Sequence, residues 1–261
     1  MKTNVWGVGL VWIVALALAW EWGAQLLAVG FHDPMAASKL PYLHSVVSTM
    51  FNNADSLFEA ASVTFTQATI GFALGAAIGY VLAVLMSVSR TIERIAFPYL
   101  IISQMIPVLG LAPIIFNLVR DMNASRILIA AYITFFPVAA NTLGGFRSVD
   151  REKRQLLDSY AAGLPTVYAK LMIPFSVPHL FAGLKIAAPL SVTASILVDM
   201  LGSKNGIGVK LLYALYGGNM DIFWASVVTS ALMGVLSFLI VLVAEKILVP
   251  WQDTANQGGA R

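Results

Sequence analysis

Long stretches without a charged side chain set the terms for this sequence. Residues 60–89, 95–119, 127–146 and 222–244 contain no Asp, Glu, Lys or Arg. Crossing a hydrocarbon layer of about 30 Å takes roughly 20 apolar residues at about 1.5 Å of helical rise each, so every one of these stretches is long enough to span. Residues 5–31 are interrupted only by Glu21, and residues 171–198 only by Lys185. A lone charge at a helix centre costs about 2.5–3.5 kcal/mol, which the surrounding apolar residues offset. The expected fold is therefore all-α, a polytopic membrane helical bundle of about six transmembrane helices.

The residue inventory excludes several other classes. Hydrophobic residues make up 59% of the 261-residue chain and charged ones 11%, against about 25% charged in a soluble domain. Too few polar residues remain to cover a core, so the bilayer is the outer solvent. The run over 5–31 is too long for the apolar part of a signal peptide and reads as a retained first span. There is no cysteine, and His32, His44 and His179 lack metal-ligand spacing, so no disulfide framework and no metal site are expected. The net charge of +3 resides in short loops between apolar runs. That is a topology signal, and no nucleic-acid partner is expected.

With the N-terminus in the cytoplasm, ten of the sixteen Lys and Arg fall on the cytoplasmic side, among them Lys2, Arg90, Arg94, Arg147, Arg151 and Arg261. Lys39, Arg120, Arg126, Lys204 and Lys210 fall on the other side, and Lys185 stays in the membrane. Basic residues are retained inside, which predicts that both termini are cytoplasmic. The chain divides into a first span with a long outer connection (1–59), a core of five spans (60–250) and a polar tail (251–261). The connection over 32–59 is long enough for a short helix. A charged cytoplasmic connection over 147–174 stands out in a chain otherwise short of charge, and a soluble partner is expected to dock there.

Several residues inside the spans invite a function. Gly71, Gly75 and Gly79 repeat every four residues, which places them on one helix face and lets a neighbouring helix approach closely. Pro98, Pro107, Pro113 and Pro137 each remove a backbone donor; they either bend helices for packing or break them where transporters place their sites. Gln104, Asn141 and Thr142 are polar groups in apolar runs, expected to face the bundle as interhelical hydrogen bonds or to line a pathway. Asp199, just before the glycine-rich turn 202–208, reads as an interfacial carboxylate, with a gate residue as the other reading. Lys185 is expected to snorkel toward the cytoplasm. No G-x-x-x-x-G-K-[ST], no H-E-x-x-H and no Ser–His pairing is present, so neither a nucleotide site nor catalysis is expected on this chain.

The cytoplasmic segment reads Gln155, Leu156, Leu157, Asp158, Ser159, Tyr160, Ala161, Ala162, Gly163, followed after seven residues by Leu171, Met172, Ile173 and Pro174. It resembles the loop of binding-protein-dependent ABC importer permeases, whose pattern is E-A-A, three residues, G, nine residues, I-x-L-P. Gln155, Leu156, Leu157 and Ala161 stand at the E, A, A and G positions; Leu171, Ile173 and Pro174 fit the closing element. "FFPVAANTLGGFRSVD" before the loop and "GLKIAAPLSV" after it are similar to the nitrate, sulfonate and taurine, and pyrimidine-precursor and riboflavin branch. Ala161 carries a Cβ that resists φ > 0, with Gly163 as an alternative place for the turn.

The resemblance implies a type I importer permease in a bacterial inner membrane, working as a homodimer. It implies residues 155–163 as the coupling element for two cytoplasmic ATPase subunits, which would hold the ATP and Mg, and an extracytoplasmic solute-binding protein as the source of a small nutrient. A self-sufficient channel or ion-coupled carrier is the competing reading, and it needs ionisable groups at the midplane that, apart from Lys185, are scarce here.

Overall fold

The computed structural model describes residues 5–32 and 35–250, and these are almost wholly helical. Helix α1 (Val5–Gln25) runs into a π-helical turn (Leu26–Gly30). The outer connection folds into α2 (Ala36–Lys39) and α3 (Leu43–Asn52), so it holds two short helices where one was expected. It is tied back to α1: the Trp20 indole donates to the Pro41 carbonyl at 2.9 Å, and Glu21 meets the Leu43 amide at 2.7 Å and His44 at 2.6 Å.

The core helices begin and end where side chains dictate. Helix α4 (Ala54–Val88) is free of proline and stops at Ser89, which is extended and caps α5 (Arg90–Met105) by accepting from the Ile92 amide. Helix α6 (Val108–Val119) follows, and Asp121 then caps α7 (Met122–Arg147) by accepting from the Ala124 amide at 2.7 Å. Helix α8 (Arg151–Ser159) and α9 (Leu164–Val167) form the connection expected to be cytoplasmic, and a π-helical stretch (Tyr168–Met172) leads into α10 (Ile173–Met200). Helix α11 (Ile207–Tyr216) and α12 (Met220–Leu248), capped by Asn219, complete the order.

Helix α7 sits at the centre, packed against α4 on one side and α10 on the other, with α12 outside α10. The glycine face of α4 lies on α7. A Cβ at Gly71 would meet the Ala130 Cβ and the Ile127 carbonyl at 2.5 Å; at Gly75 it would collide with Ala131 and Thr134, and at Gly79 with the Phe135 carbonyl. Two apolar clusters close the ends of the bundle. Ala83, Met86, Leu143, Phe146 and Met172 lie at one end, and Leu57, Ala68, Val192, Ile207 and Ala225 at the other. Large apolar side chains such as Leu236, Ile240 and Val243 on α12 are exposed, as a lipid-facing surface requires.

Among the described residues four helices are long and apolar enough to cross a membrane, or five if the bent pair α5 and α6 counts as one span. Over the same residues the first helix contributes only a shorter apolar stretch, Val14–Gly30, so length and composition account for four or five of the six expected crossings. The tail 251–261, Lys2 and Arg261 lie outside the described residues.

Candidate functional site

The cytoplasmic connection presents two different faces. Leu157 and Ala162 pack inward on the cluster of Ala83, Leu143 and Phe146, while Leu156, Tyr160 and Leu164 are 58%, 76% and 60% exposed. Gln155, Asp158, Ser159, Ala161 and Gly163 are exposed as well. Helix α8 ends in a Schellman turn: the Ala161 amide donates to the Asp158 carbonyl at 2.9 Å and the Ala162 amide to the Leu157 carbonyl at 3.1 Å. Ala161 itself takes the left-handed conformation, with φ of 50°. The turn therefore stays at Ala161 and does not move to Gly163, whose φ of −65° suits any residue. Two hydrogen bonds, with Leu157 and Ala162 both packed on the same apolar cluster, hold the alanine in a conformation its Cβ disfavours.

The span expected over 95–119 is broken. Ile106 and Pro107 are both extended, and α5 and α6 meet at 98°. Pro107 lacks the amide that would have bonded to the Ser103 carbonyl, and a proline also drives the residue before it out of the helical region. The Tyr132 hydroxyl, reaching across from α7, donates to that carbonyl. Pro98, Pro113 and Pro137, and two prolines not singled out in the sequence, Pro178 and Pro189, all stay inside continuous helices.

The predicted pathway residues are not brought together. Gln104 is exposed at the elbow beside Met105 and Ile106, so it faces away from this chain's own bundle rather than into it. Asn141 donates to the Pro137 carbonyl of its own helix at 2.7 Å, not to a neighbouring helix. Thr142 is fully buried, and its hydroxyl has no hydrogen-bond partner among the described residues, so it neither bridges helices nor faces an open path.

Asp199 departs furthest from expectation. It is 1% exposed, not interfacial, and its carboxylate lies 2.6 Å from Nε of Arg126, which is 0% exposed. The two groups are close but poorly aligned as a hydrogen bond. The Thr64 hydroxyl donates to Asp199 at 2.6 Å and accepts from the Ile207 amide at 2.9 Å; the Gly208 amide donates to Asp199 at 3.3 Å. Arg126 reaches Asn123 at 3.1 Å and the Asn205 carbonyl at 2.5 Å. Arg126 was expected in an outer loop. The Asp121 cap starts α7 earlier, so Arg126 falls one turn inside the helix. The cluster pins α4, α7, α10 and the 202–208 turn together, and Gly206 fits there because a Cβ would collide with the Asp199 carboxylate.

Lys185 also has a partner that sequence reasoning missed, since its ammonium lies 2.8 and 3.0 Å from the Glu245 carboxylate on α12. The signal available for both pairs was two opposite charges at or inside spans of a chain with few charges; the pairing itself is long-range.

The family model described as binding-protein-dependent transport system inner membrane component matches residues 75–253. The chain belongs to that family. As a member of this inner-membrane transport family it is an ABC importer permease component, a transport subunit rather than an enzyme. The match runs from within α4 through α12 and so includes the elbow, the α8–α9 connection and the Asp199 cluster, while α1 to α3 lie outside it.

Among relatives, the chain is 28% identical over 246 residues to the formylaminopyrimidine transport permease protein ThiX of Halalkalibacterium halodurans, covering 93% of this chain and 94% of that one. It is 23% identical to a putative aliphatic sulfonates transport permease protein SsuC of Bacillus subtilis (97% and 90% covered). It is 27% identical to the riboflavin transport system permease protein RibX of Chloroflexus aurantiacus (62% and 61%). Its fold is similar to a chain in the crystal structure of an amino acid ABC transporter with histidines, at TM-score 0.61 and 15% identity, covering 77% of this chain and 96% of that one. It is also similar to a chain of the MetNI methionine ABC transporter in inward-facing conformation, at TM-score 0.52 and 18% identity, with the same coverage.

Proposed function

We propose that two copies of this permease enclose a path across a bacterial inner membrane. Two cytoplasmic ATPase subunits seat on residues 155–163, and an extracytoplasmic binding protein delivers the substrate. ATP and Mg²⁺ belong to the ATPase subunits in this reading. The observation that carries it is the exposed ridge of Leu156, Tyr160 and Leu164 on a connection whose other face is packed into the bundle. An exposed apolar ridge on a charged cytoplasmic segment suits a protein partner, and its inner face lets a push on the ridge reach α4 and α7 as a rigid movement. The exposed elbow at Gln104 and Met105 is then a surface that the second copy meets or that lines the path.

The substrate is a small organic nutrient, such as a pyrimidine precursor, riboflavin or a sulfonate such as taurine, or else nitrate. The names of the relatives support the pyrimidine-precursor, sulfonate and riboflavin part of this range. A ligand screen on the cognate binding protein decides among them.

Function is tested in proteoliposomes holding the permease, its ATPase and its binding protein. Deleting residues 155–170, or the milder Leu156→Asp/Tyr160→Asp pair, is expected to abolish substrate-stimulated ATP hydrolysis. Stimulation that survives both changes overturns the coupling assignment. Uptake by this chain alone, driven by an ion gradient, would establish a self-sufficient carrier instead.

A further inference from the structure

At the cytoplasmic end a cavity of about 270 Å³ opens between the end of α4, the start of α5, the end of α7 and the start of α8. One water takes about 30 Å³ of liquid volume, so the space admits a larger guest. Arg90, Arg147, Arg151 and Arg154 stand in its wall against one carboxylate, Glu93. Glu93 is taken by Arg147, whose guanidinium also lies 5.5 Å from the centre of the Phe97 ring. Asp150, at the start of α8, is taken by Lys153 at 2.9 Å. The side chains of Arg90, Arg151 and Arg154 form no ion pair or hydrogen bond with a described residue. The floor is apolar: Leu143, Phe146, Val149 and Met172.

Three unpaired guanidinium groups around one concave space repel each other and focus a positive potential into it. A guanidinium fork matches the oxygens of a phosphate in paired hydrogen bonds, which an ammonium cannot do. A basic rim over an apolar floor at the cytoplasmic edge of a helix bundle also suits the head group of an anionic lipid.

We infer that this cavity binds a phosphate-bearing anion through Arg90, Arg151 and Arg154. The phosphoryl group is the shared chemistry, whether a lipid head group or free phosphate carries it. Because Arg90 belongs to α5 and the other two to α8, the bound anion fastens the cytoplasmic connection to the α4–α5 corner. The site is separate from the exposed ridge on α8 and does not depend on what docks there.

The test uses the full chain in neutral detergent. Inorganic phosphate binding is followed by calorimetry. Retention of phosphatidylglycerol, with phosphatidylcholine as the zwitterionic reference, is counted by native mass spectrometry. Saturable binding of at least one anionic probe is expected, weakened about tenfold or more in Arg90→Gln/Arg154→Gln. In Arg120→Gln/Lys204→Gln, which removes the same charge outside the cavity lining, at the loops expected on the other side, it should change less than about twofold. Phosphate binding assigns the site to a free anion; phosphatidylglycerol retention without phosphate binding assigns it to a lipid head group. Failure of both probes, equal weakening in the two double variants, or an unaffected cavity variant overturns the inference. So does loss of ATPase docking in a cavity variant when neither probe binds, which would give the arginines to a protein surface. The cavity arginines are exposed, so both variants should keep the elution volume and melting temperature of the parent. The single Arg151→Gln change repeats the comparison if the double one does not fold.

Discussion

At the scale of single residues, the Arg126–Asp199 pair concentrates the most energy. Among the described residues they are the two charged side chains that are buried, and removing one partner of such a pair leaves an uncompensated charge, at a cost of about 3–5 kcal/mol. Asp199→Ala and Arg126→Ala are each expected to lose that much stability in detergent unfolding. The apolar Arg126→Met/Asp199→Leu double variant should lose less than either, since both charges leave together. A double variant worse than both singles would show that the hydrogen bonds to Thr64 and Gly208 matter more than the charges. Ala161 makes a second residue-scale case. A left-handed alanine is strained by about 1–2 kcal/mol, so Ala161→Gly should relieve part of that and slow hydrogen exchange at the amides of 161 and 162. Gly163→Ala, at ordinary φ, should change little; the opposite ranking would place the turn at Gly163.

At the scale of elements, helix packing is decided by where backbone meets backbone. A methyl at Gly75 meets the Thr134 Cβ at 2.7 Å and the Ala131 Cα at 2.9 Å, and the backbone of α7 cannot swing aside as a side chain would. Gly75→Ala is expected to destabilise by about 1–3 kcal/mol. Gly110→Ala, with nothing within 4 Å, should be neutral or gain up to about 1 kcal/mol from helix propensity. Equal melting temperatures for the two variants would refute the close α4–α7 approach. The glycine spacing was readable along the chain because it is a local repeat. The break between α5 and α6 was not, since several prolines looked alike. Of the four span prolines singled out, only at Pro107 are that residue and the one before it both extended, and Tyr132 from another helix accommodates the freed Ser103 carbonyl. The resemblance of the α8–α9 connection was legible from the spacing that ends at Pro174, but the division into an inner Leu157 and an outer Leu156 and Tyr160 needed the helix to be seated.

At the scale of the whole molecule, four of the six arginines the sequence assigns to the cytoplasm, Arg90, Arg147, Arg151 and Arg154, line a single cavity. Because the chain has no cysteine, introduced thiols report the orientation without background. Ser159→Cys should react with an impermeant maleimide only in inside-out vesicles, and Lys204→Cys only from the outside of spheroplasts. The reverse pattern would invert the topology. By itself the sequence determined the solvent, the helical class, the family resemblance and the place of the charged connection along the chain, because uncharged run length and motif spacing are properties of neighbouring residues. Only the tertiary structure decided that Arg126 and Asp199 are core residues, that Lys185 meets Glu245, that Thr142 is sealed and that Gln104 is exposed. A charge or a polar group can be buried only if something distant in the chain arrives to satisfy it, and which groups arrive is settled when the helices pack.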